Sequence, residues 1–312
     1  MSDIISRVLP ILLLIALGFW LRRSSFISEC TIGDLRKLVV NIALPAVLFT
    51  SFLEIEFDPS DAAVVVGVFV LCVALYGVGL ALRGRFGGGH EYFPFLMTGF
   101  ESGMLGISLF GSAYGLSKVG YFAVVDLGHE LFIWFVFLAL LLARRDGIQR
   151  PAQLLGAFIR SPVIIAILAG IGASLLGMRD VLYDGPIVGG VMNTLVFLAT
   201  LTVPLILLIV GYGIQLDRRG IREAIPAVAL RLAILLPLAI VLPVLLANSL
   251  LGGNEYSRAA LFTLLILPPP FIIPLYMKPG MPEERRYVNN VLSLYTVVSI
   301  AIFVVYVAAN PL

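Results

Sequence analysis

The stretch Leu96-Met-Thr-Gly-Phe-Glu-Ser-Gly-Met-Leu-Gly-Ile-Ser-Leu-Phe-Gly111 lies inside a long apolar run, yet it holds a carboxylate, three hydroxyls and four glycines. A helix facing lipid does not tolerate that mixture, because hydrocarbon offers a freed backbone no water. Broken helix at membrane depth persists only when it is buried in protein or lines a cavity. A second interrupted run, Leu267-Pro-Pro-Pro-Phe-Ile-Ile-Pro274, stands at the corresponding place in the other half of the chain. A matched pair of Gly- and Pro-broken segments is the pattern of a transporter whose site lies at the bilayer midplane.

Composition supports a membrane setting. Of 312 residues, 60% are apolar and 13% charged, against about 25% charged in a soluble domain, and the mean hydropathy is +1.04. The pI of about 8.6 reflects basic residues in short loops between spans, so no nucleic-acid partner is implied and the partner that matters is the lipid bilayer. Cys30 and Cys72 lack metal-ligand spacing, and neither a disulfide nor a metal is expected. The run Ile4–Leu21 has no short basic start and no small-residue cleavage site, and it is expected to be a retained span.

A span needs roughly 17–25 apolar residues. Ten fit, near 4–22, 38–53, 61–82, 92–115, 120–143, 160–177, 187–216, 225–251, 256–277 and 287–309. Residues 28–37 read either as a brief interfacial helix or as a polar loop. Odd-numbered connections carry 16 Lys and Arg and the opposite side only Arg7, Lys118, Arg179 and Arg258, which predicts odd loops in the cytoplasm and both termini outside. The basic connection at 144–159 divides the chain into a first five-helix repeat, 1–143, and a second, 160–312. Five is odd, so the second repeat is inverted relative to the first. Glu101 lies ten residues into the fourth span, about 15 Å, or half of a ~30 Å core. Pro268 lies twelve residues into the ninth, about 18 Å. Two broken helices, the fourth and the ninth, are therefore expected to cross at the midplane.

Several short motifs carry a family likeness. They are Leu9-Pro-Ile-Leu-Leu-Leu-Ile-Ala-Leu-Gly18, Asn41-Ile-Ala-Leu-Pro45, Gly103-Met-Leu-Gly-Ile-Ser-Leu109, Asp126-Leu-Gly-His-Glu130, Val203-Pro-Leu205 with Gly211, and Leu230-Arg-Leu232. In order and spacing the chain resembles the auxin efflux carrier (PIN-like) family, whose bacterial members include malonate- and malate-type permeases. The resemblance implies an all-α membrane protein of ten helices in two inverted five-helix repeats, with crossed fourth and ninth helices. Such a fold is similar to NhaA-type antiporters and bile-acid symporters and works by elevator-type alternating access, and the relatives suggest a homodimer. Two departures bear on substrate. Relatives usually carry Asn-Thr-Gly where this chain has Glu101-Ser102-Gly103, with a Gly-x-Pro soon after where it has Gly106-Ile-Ser108. They also tend to have Pro followed by small polar residues where Pro268, Pro269 and Pro270 run together.

The candidate substrate-binding residues are Asn41, Pro45, Glu101, Ser102, Gly103, Pro268, Pro269 and Pro270. Half-helix N-termini offer unsatisfied N–H groups to an anion, glycines allow close backbone approach, and the prolines, lacking N–H, offer carbonyls. The alternative for the glycines is plain helix packing. A charged carboxylate at the bilayer centre costs at least ~2.5 kcal/mol, so Glu101 is expected to be protonated, paired or hydrated, and it is a candidate proton carrier. Otherwise it anchors a cation, or pairs structurally with Arg231. Asp126, His129 and Glu130 in the fifth span are further proton-relay candidates, or merely a polar helix end. Arg231 is a charge partner for Glu101 or Glu130, an attractor of an anionic substrate, or a residue that snorkels to the interface. Asn41 offers hydrogen bonds to substrate, and Pro45 at the least kinks its span.

These readings predict a secondary transporter of a small organic anion, a mono- or dicarboxylate, with H+ or Na+ as candidate coupling ion, in a bacterial inner membrane. The rivals are a Na+/H+-type cation exchanger and a membrane ligand sensor. No zinc spacing, nucleophile elbow or Walker loop is present in the sequence, so neither an enzyme nor ATP drive is expected, and no cofactor is called for.

Overall fold

The computed structural model describes residues 2–54, 61–146, 156, 159–214, 218–246 and 254–310. Among them there is helix and no strand. Among the described residues seven helices are long and apolar enough to cross a membrane: Glu29–Glu54, Ala62–Phe86, Phe93–Tyr114, Leu116–Arg145, Pro186–Gly213, Gly220–Leu245 and Pro282–Ala309. The chain is an all-helical, multi-pass membrane protein.

The first helix, α1 (Ser2–Arg23), is followed by α2 (Glu29–Leu38), whose start is capped by Ser28 Oγ accepting from Thr31 N at 3.1 Å. Of the two readings of 28–37 the helix is the one that forms, though not as a separate element: α2 passes through one wide turn, Val39–Ala43, into α3 (Leu44–Glu54). Pro45 explains the turn. It has no N–H to give the Asn41 carbonyl, and its ring crowds that carbonyl. Next come α4 (Asp61–Phe86), then α5 (Phe93–Met97) and α6 (Ile107–Tyr114) on either side of the first break. They are followed by α7 (Val119–Phe132) and α8 (Leu138–Asp146).

Most of the 144–159 connection lies outside the described residues. Beyond it are α9 (Pro162–Leu175), α10 (Arg179–Asp184), α11 (Pro186–Thr200) and α12 (Thr202–Gly213). The last three are α13 (Arg218–Leu245), α14 (Glu255–Ile266) and α15 (Pro282–Ala309). Proline at the first or second position of α5, α9, α11 and α15 fits the rule that a helix start has no use for that N–H.

Small residues bring the helices together. A Cβ on Gly18 of α1 would lie 2.1 Å from Leu208 O, and one on Gly211 of α12 would lie 2.1 Å from Ile15 O. The pair meets backbone to backbone through two glycines, as membrane helices do when no hydrophobic force separates protein from lipid. Gly128 of α7 sits equally close to Val65 O of α4, and Gly170 of α9 packs on Phe49 of α3.

Burial is inverted relative to a soluble protein. Leu13, Ile187 and Phe197 are exposed and face where lipid would lie, whereas nearly every residue of Phe93–Tyr114 is buried. The broken helix is the centre of the bundle.

Candidate functional site

At the first break, Thr98 is extended and Gly99 takes φ +66°. A Cβ at Gly99 would stand 2.8 Å from Pro270 Cγ, so glycine serves both the left-handed backbone and the contact with the second break. Thr98 Oγ1 donates to Cys72 O of α4 at 2.5 Å. Helix resumes as a wide turn, Ser102–Gly106, leading into α6, and the residue at its start is Glu101. One carboxylate oxygen accepts from Met104 N at 3.4 Å, and the other accepts from Phe271 N of the second break at 2.5 Å. Glu101 N in turn donates to Pro268 O at 2.8 Å. Glu101 therefore caps one half-helix and ties both breaks together, while remaining 7% exposed.

The second break is not regular helix, as the run of prolines predicts. After α14, Leu267 is extended, Pro268–Pro270 are buried, and only a single short turn, Ile273–Leu275, follows before α15. With prolines at 268, 269, 270 and 274, too few N–H groups remain to sustain a helix. The segment instead supplies carbonyls, together with the one N–H of Phe271 that Glu101 accepts.

Arg231 of α13 is fully enclosed, and its partners are carbonyls rather than a carboxylate. Nη1 donates to Leu96 O at 2.9 Å, and Nη2 donates to Gly99 O at 2.5 Å and to Leu267 O at 3.4 Å. The rings of Phe100 and Tyr295 flank the guanidinium at 5.2 and 5.3 Å. Leu96 and Leu267 stand at the C-terminal ends of α5 and α14, where the carbonyls lack helical partners and the dipole is negative. For Arg231 the alternatives open from sequence were Glu101, Glu130, an anionic substrate and the interface. Among the described residues it is the common cap of two interrupted helices.

His129, Asp126 and Ser102 form a second buried group. His129 Nε2 accepts from Phe100 N at 2.9 Å, which leaves the proton on Nδ1. Nδ1 donates to Asp126 Oδ1 at 2.9 Å, with Ser102 Oγ at 3.3 Å as a further neighbour. Asp126, six residues from the expected end of its span, is nevertheless only 5% exposed. Glu130 is half-buried and accepts from Trp134 Nε1 at 3.1 Å. Donor atoms of Asp126, His129 and Glu130 lie within 4.8 Å of one another, close enough to share a cation. Both imidazole nitrogens are already engaged, however, so His129 could ligate only by giving up one of its bonds.

The break separates two cavities. One, of about 290 Å3, is bounded by Arg36, Met104, Tyr212, Phe271, Asn289 and Ser293, among others. The other, of about 310 Å3, is bounded by Asn41, Gly103, Asp126, Glu130 and Trp134, among others. Adjacent residues of one turn, Gly103 and Met104, thus face different cavities. Met104 and Phe271, whose N–H groups hold Glu101, both border the first. Asn41, exposed and donating to Lys37 O at 2.8 Å, borders the second, while Pro45 borders neither. The candidates therefore divide. Glu101, Ser102, Gly103 and Pro268–Pro270 meet at the crossing, with Asp126 and His129 attached through Ser102, whereas Asn41 and Glu130 stand across the second cavity. Thr98, Phe271 and Arg36 were not singled out from sequence. The first two act through backbone or a short hydroxyl, and Arg36 looked like one more basic loop residue.

Residues 3–254 match the family described as membrane transport protein. The chain belongs to the auxin efflux carrier family. It is also similar to an uncharacterized transporter of Methanothermobacter thermautotrophicus, at 24% identity over 224 residues covering 70% of each chain. Both matches are to transporters, and the chain is a membrane transporter by family.

Proposed function

We propose that this transporter is a secondary carrier of a small organic anion, a mono- or dicarboxylate of the malonate, malate or indole-acetate kind, coupled to protons through Glu101. The observation that carries the reading is the position of Glu101. A titratable group forms the link between the two breaks and caps the turn whose residues Met104 and Gly103 border two different cavities. As a carboxylate it accepts from both Met104 N and Phe271 N. A proton taken up there removes the negative charge that strengthens those bonds and loosens the breaks from each other. Proton binding and rearrangement of the crossing would then be one event, which is what coupling requires.

The accompanying architecture is ten crossings, with α1, α9 and the α14 segment added to the seven long spans. These fall into repeats 1–143 and 160–312 joined by 144–159, with both termini outside, in a bacterial plasma membrane, as a homodimer. Helix pairing supports the inverted repeat. Under a shift of five spans, the contact of α1 with α12 corresponds to that of α9 with α3. The contact of α4 with α7 corresponds to that of α13 with α15, and that of α4 with α5 to that of α13 with α14. A symmetric scaffold of this kind can rock one bundle against the other in elevator fashion. The activity is transport rather than catalysis.

The test is flux of labelled malonate, malate and indole acetate in proteoliposomes, with and without an imposed pH gradient. Gradient-driven flux that becomes insensitive to pH in Glu101→Gln is the expected result. A second reading, Na+/H+-type exchange, is favoured by the Asp126–His129–Glu130 cluster beside the second cavity. Cation flux without any carboxylate flux would select it.

A further inference from the structure

Two arginines, Arg22 and Arg36, and one carboxylate, Glu29, bound the first cavity, while Glu101 does not border it and reaches Arg36 only as a longer-range charge. Arg22 is satisfied: it donates to Tyr212 O at 3.0 Å and lies 3.4 Å from Glu29. Arg36, on the turn of α2 that faces the same space, has no ion pair or hydrogen bond among the described residues, and its Nε is buried without a partner. A buried guanidinium nitrogen in that condition is costly unless something fills the position. The rest of the wall suits an anion's needs. Asn289, Ser293 and Thr296 of α15 bring polar side chains, and Tyr212 and Phe271 bring aromatic surface. The helix N-terminus nearby is not available to a ligand, because Glu101 already occupies it with its own carboxylate.

We propose that this cavity is the anion-binding vestibule of the carrier, and that Arg36 is the counter-charge for a small carboxylate or dicarboxylate. The assignment rests on the transport reading above and deepens it. The internal carboxylate Glu101 stands at the half-helix N-terminus, and the cation that receives substrate is displaced onto α2. Arg36 then holds the anion on the cavity side of Met104 and Phe271, one layer from Glu101. A planar guanidinium grips a carboxylate through two parallel hydrogen bonds.

Radiolabelled malonate is the probe, measured by equilibrium binding to the purified full chain and by flux in proteoliposomes. Arg36→Gln removes the charge but breaks no bond to the protein, so the variant is expected to fold, and its affinity should fall roughly 10- to 100-fold. Arg36→Lys should recover part of the loss. A second variant is Gly33→Glu on the same wall. A Cβ at Gly33 meets nothing within 4 Å, so the side chain is accommodated and its charge should weaken malonate binding as well. Arg144→Gln, which disrupts only an exposed pair with Glu91, should leave binding unchanged. Flux and affinity that persist in Arg36→Gln and Gly33→Glu would overturn the vestibule and leave carboxylate transport standing. Malonate binding lost in Arg36→Gln, without flux under any gradient, would uphold the vestibule and overturn transport. Failure of wild-type protein to bind malonate, malate or indole acetate would overturn both.

Discussion

The break at Thr98–Glu101 is built from glycine and a carboxylate, whereas the break at Leu267–Pro270 is built from prolines, and each supplies what the other lacks. Glycine allows a left-handed turn after which helix resumes, so the first break ends in a capped helix start. Proline removes donors over several residues, so the second stays open and presents carbonyls. The first break therefore holds the acceptor that Phe271 N needs, and the second holds the acceptor that Glu101 N needs. Two interruptions with the same chemistry would have left one set of buried backbone groups unpaired.

What both breaks share is Arg231, and its removal should have the largest effect. Arg231→Leu orphans the carbonyls of Leu96, Gly99 and Leu267 at once. Loss of one partner from a buried charged network costs about 3–5 kcal/mol, enough to abolish a cooperative thermal transition in detergent-solubilised protein or to lower its midpoint by many degrees. A variant as stable as wild type would mean that the breaks hold each other without the cation.

Gly99→Ala attacks one side of the comparison only. A non-glycine residue at φ +66° is strained by about 1–3 kcal/mol, and the new methyl would also meet Pro270. The midpoint of thermal unfolding should fall, though by less than in Arg231→Leu.

Glu101→Gln is milder still. The amide keeps one acceptor oxygen for two N–H donors, so the stronger bond to Phe271 survives and the weaker one to Met104 is lost, at about 1 kcal/mol. Its signature is functional: transport should lose its dependence on pH while protein yield and unfolding change little. Unchanged pH dependence would return Glu101 to a structural role as the cap of Ser102–Tyr114.

Much of this was legible from sequence because it rests on local rules. Glycine, proline and a lone carboxylate within apolar runs marked both breaks, and hydropathy found the seven long apolar helices of the described residues, though not all of their ends. The start expected for the second span, at 38, missed that α2 and α3 are continuous, since the polar residues of 28–37 read as lying outside the span. Less visible were contacts made through backbone. Nothing in Leu230-Arg-Leu232 says that the guanidinium will find three carbonyls from two other helices, and nothing in His129 says that one nitrogen will accept from Phe100 N. Arg36 was counted as one of sixteen basic loop residues, and only the cavity distinguishes it from the others.

Gly103→Ala should have the smallest effect and separates the two cavities most sharply. Gly99 and Gly103 lie four residues apart, yet the nearest atom to a Cβ at Gly103 is Leu44 Cδ2 at 3.9 Å, an ordinary contact. No positive φ is involved, and the residue lies in a helical turn, where alanine is favoured over glycine by up to about 1 kcal/mol. The midpoint of unfolding should stay the same or rise slightly. Its methyl enters the cavity of Asp126 and Glu130, not that of Arg36. Malonate affinity should therefore stay at the wild-type value, in contrast to the loss in Arg36→Gln. If Gly103→Ala weakens malonate binding and Arg36→Gln does not, the anion sits on the other side of the broken helix, and the cavity bounded by Asn41 becomes its site.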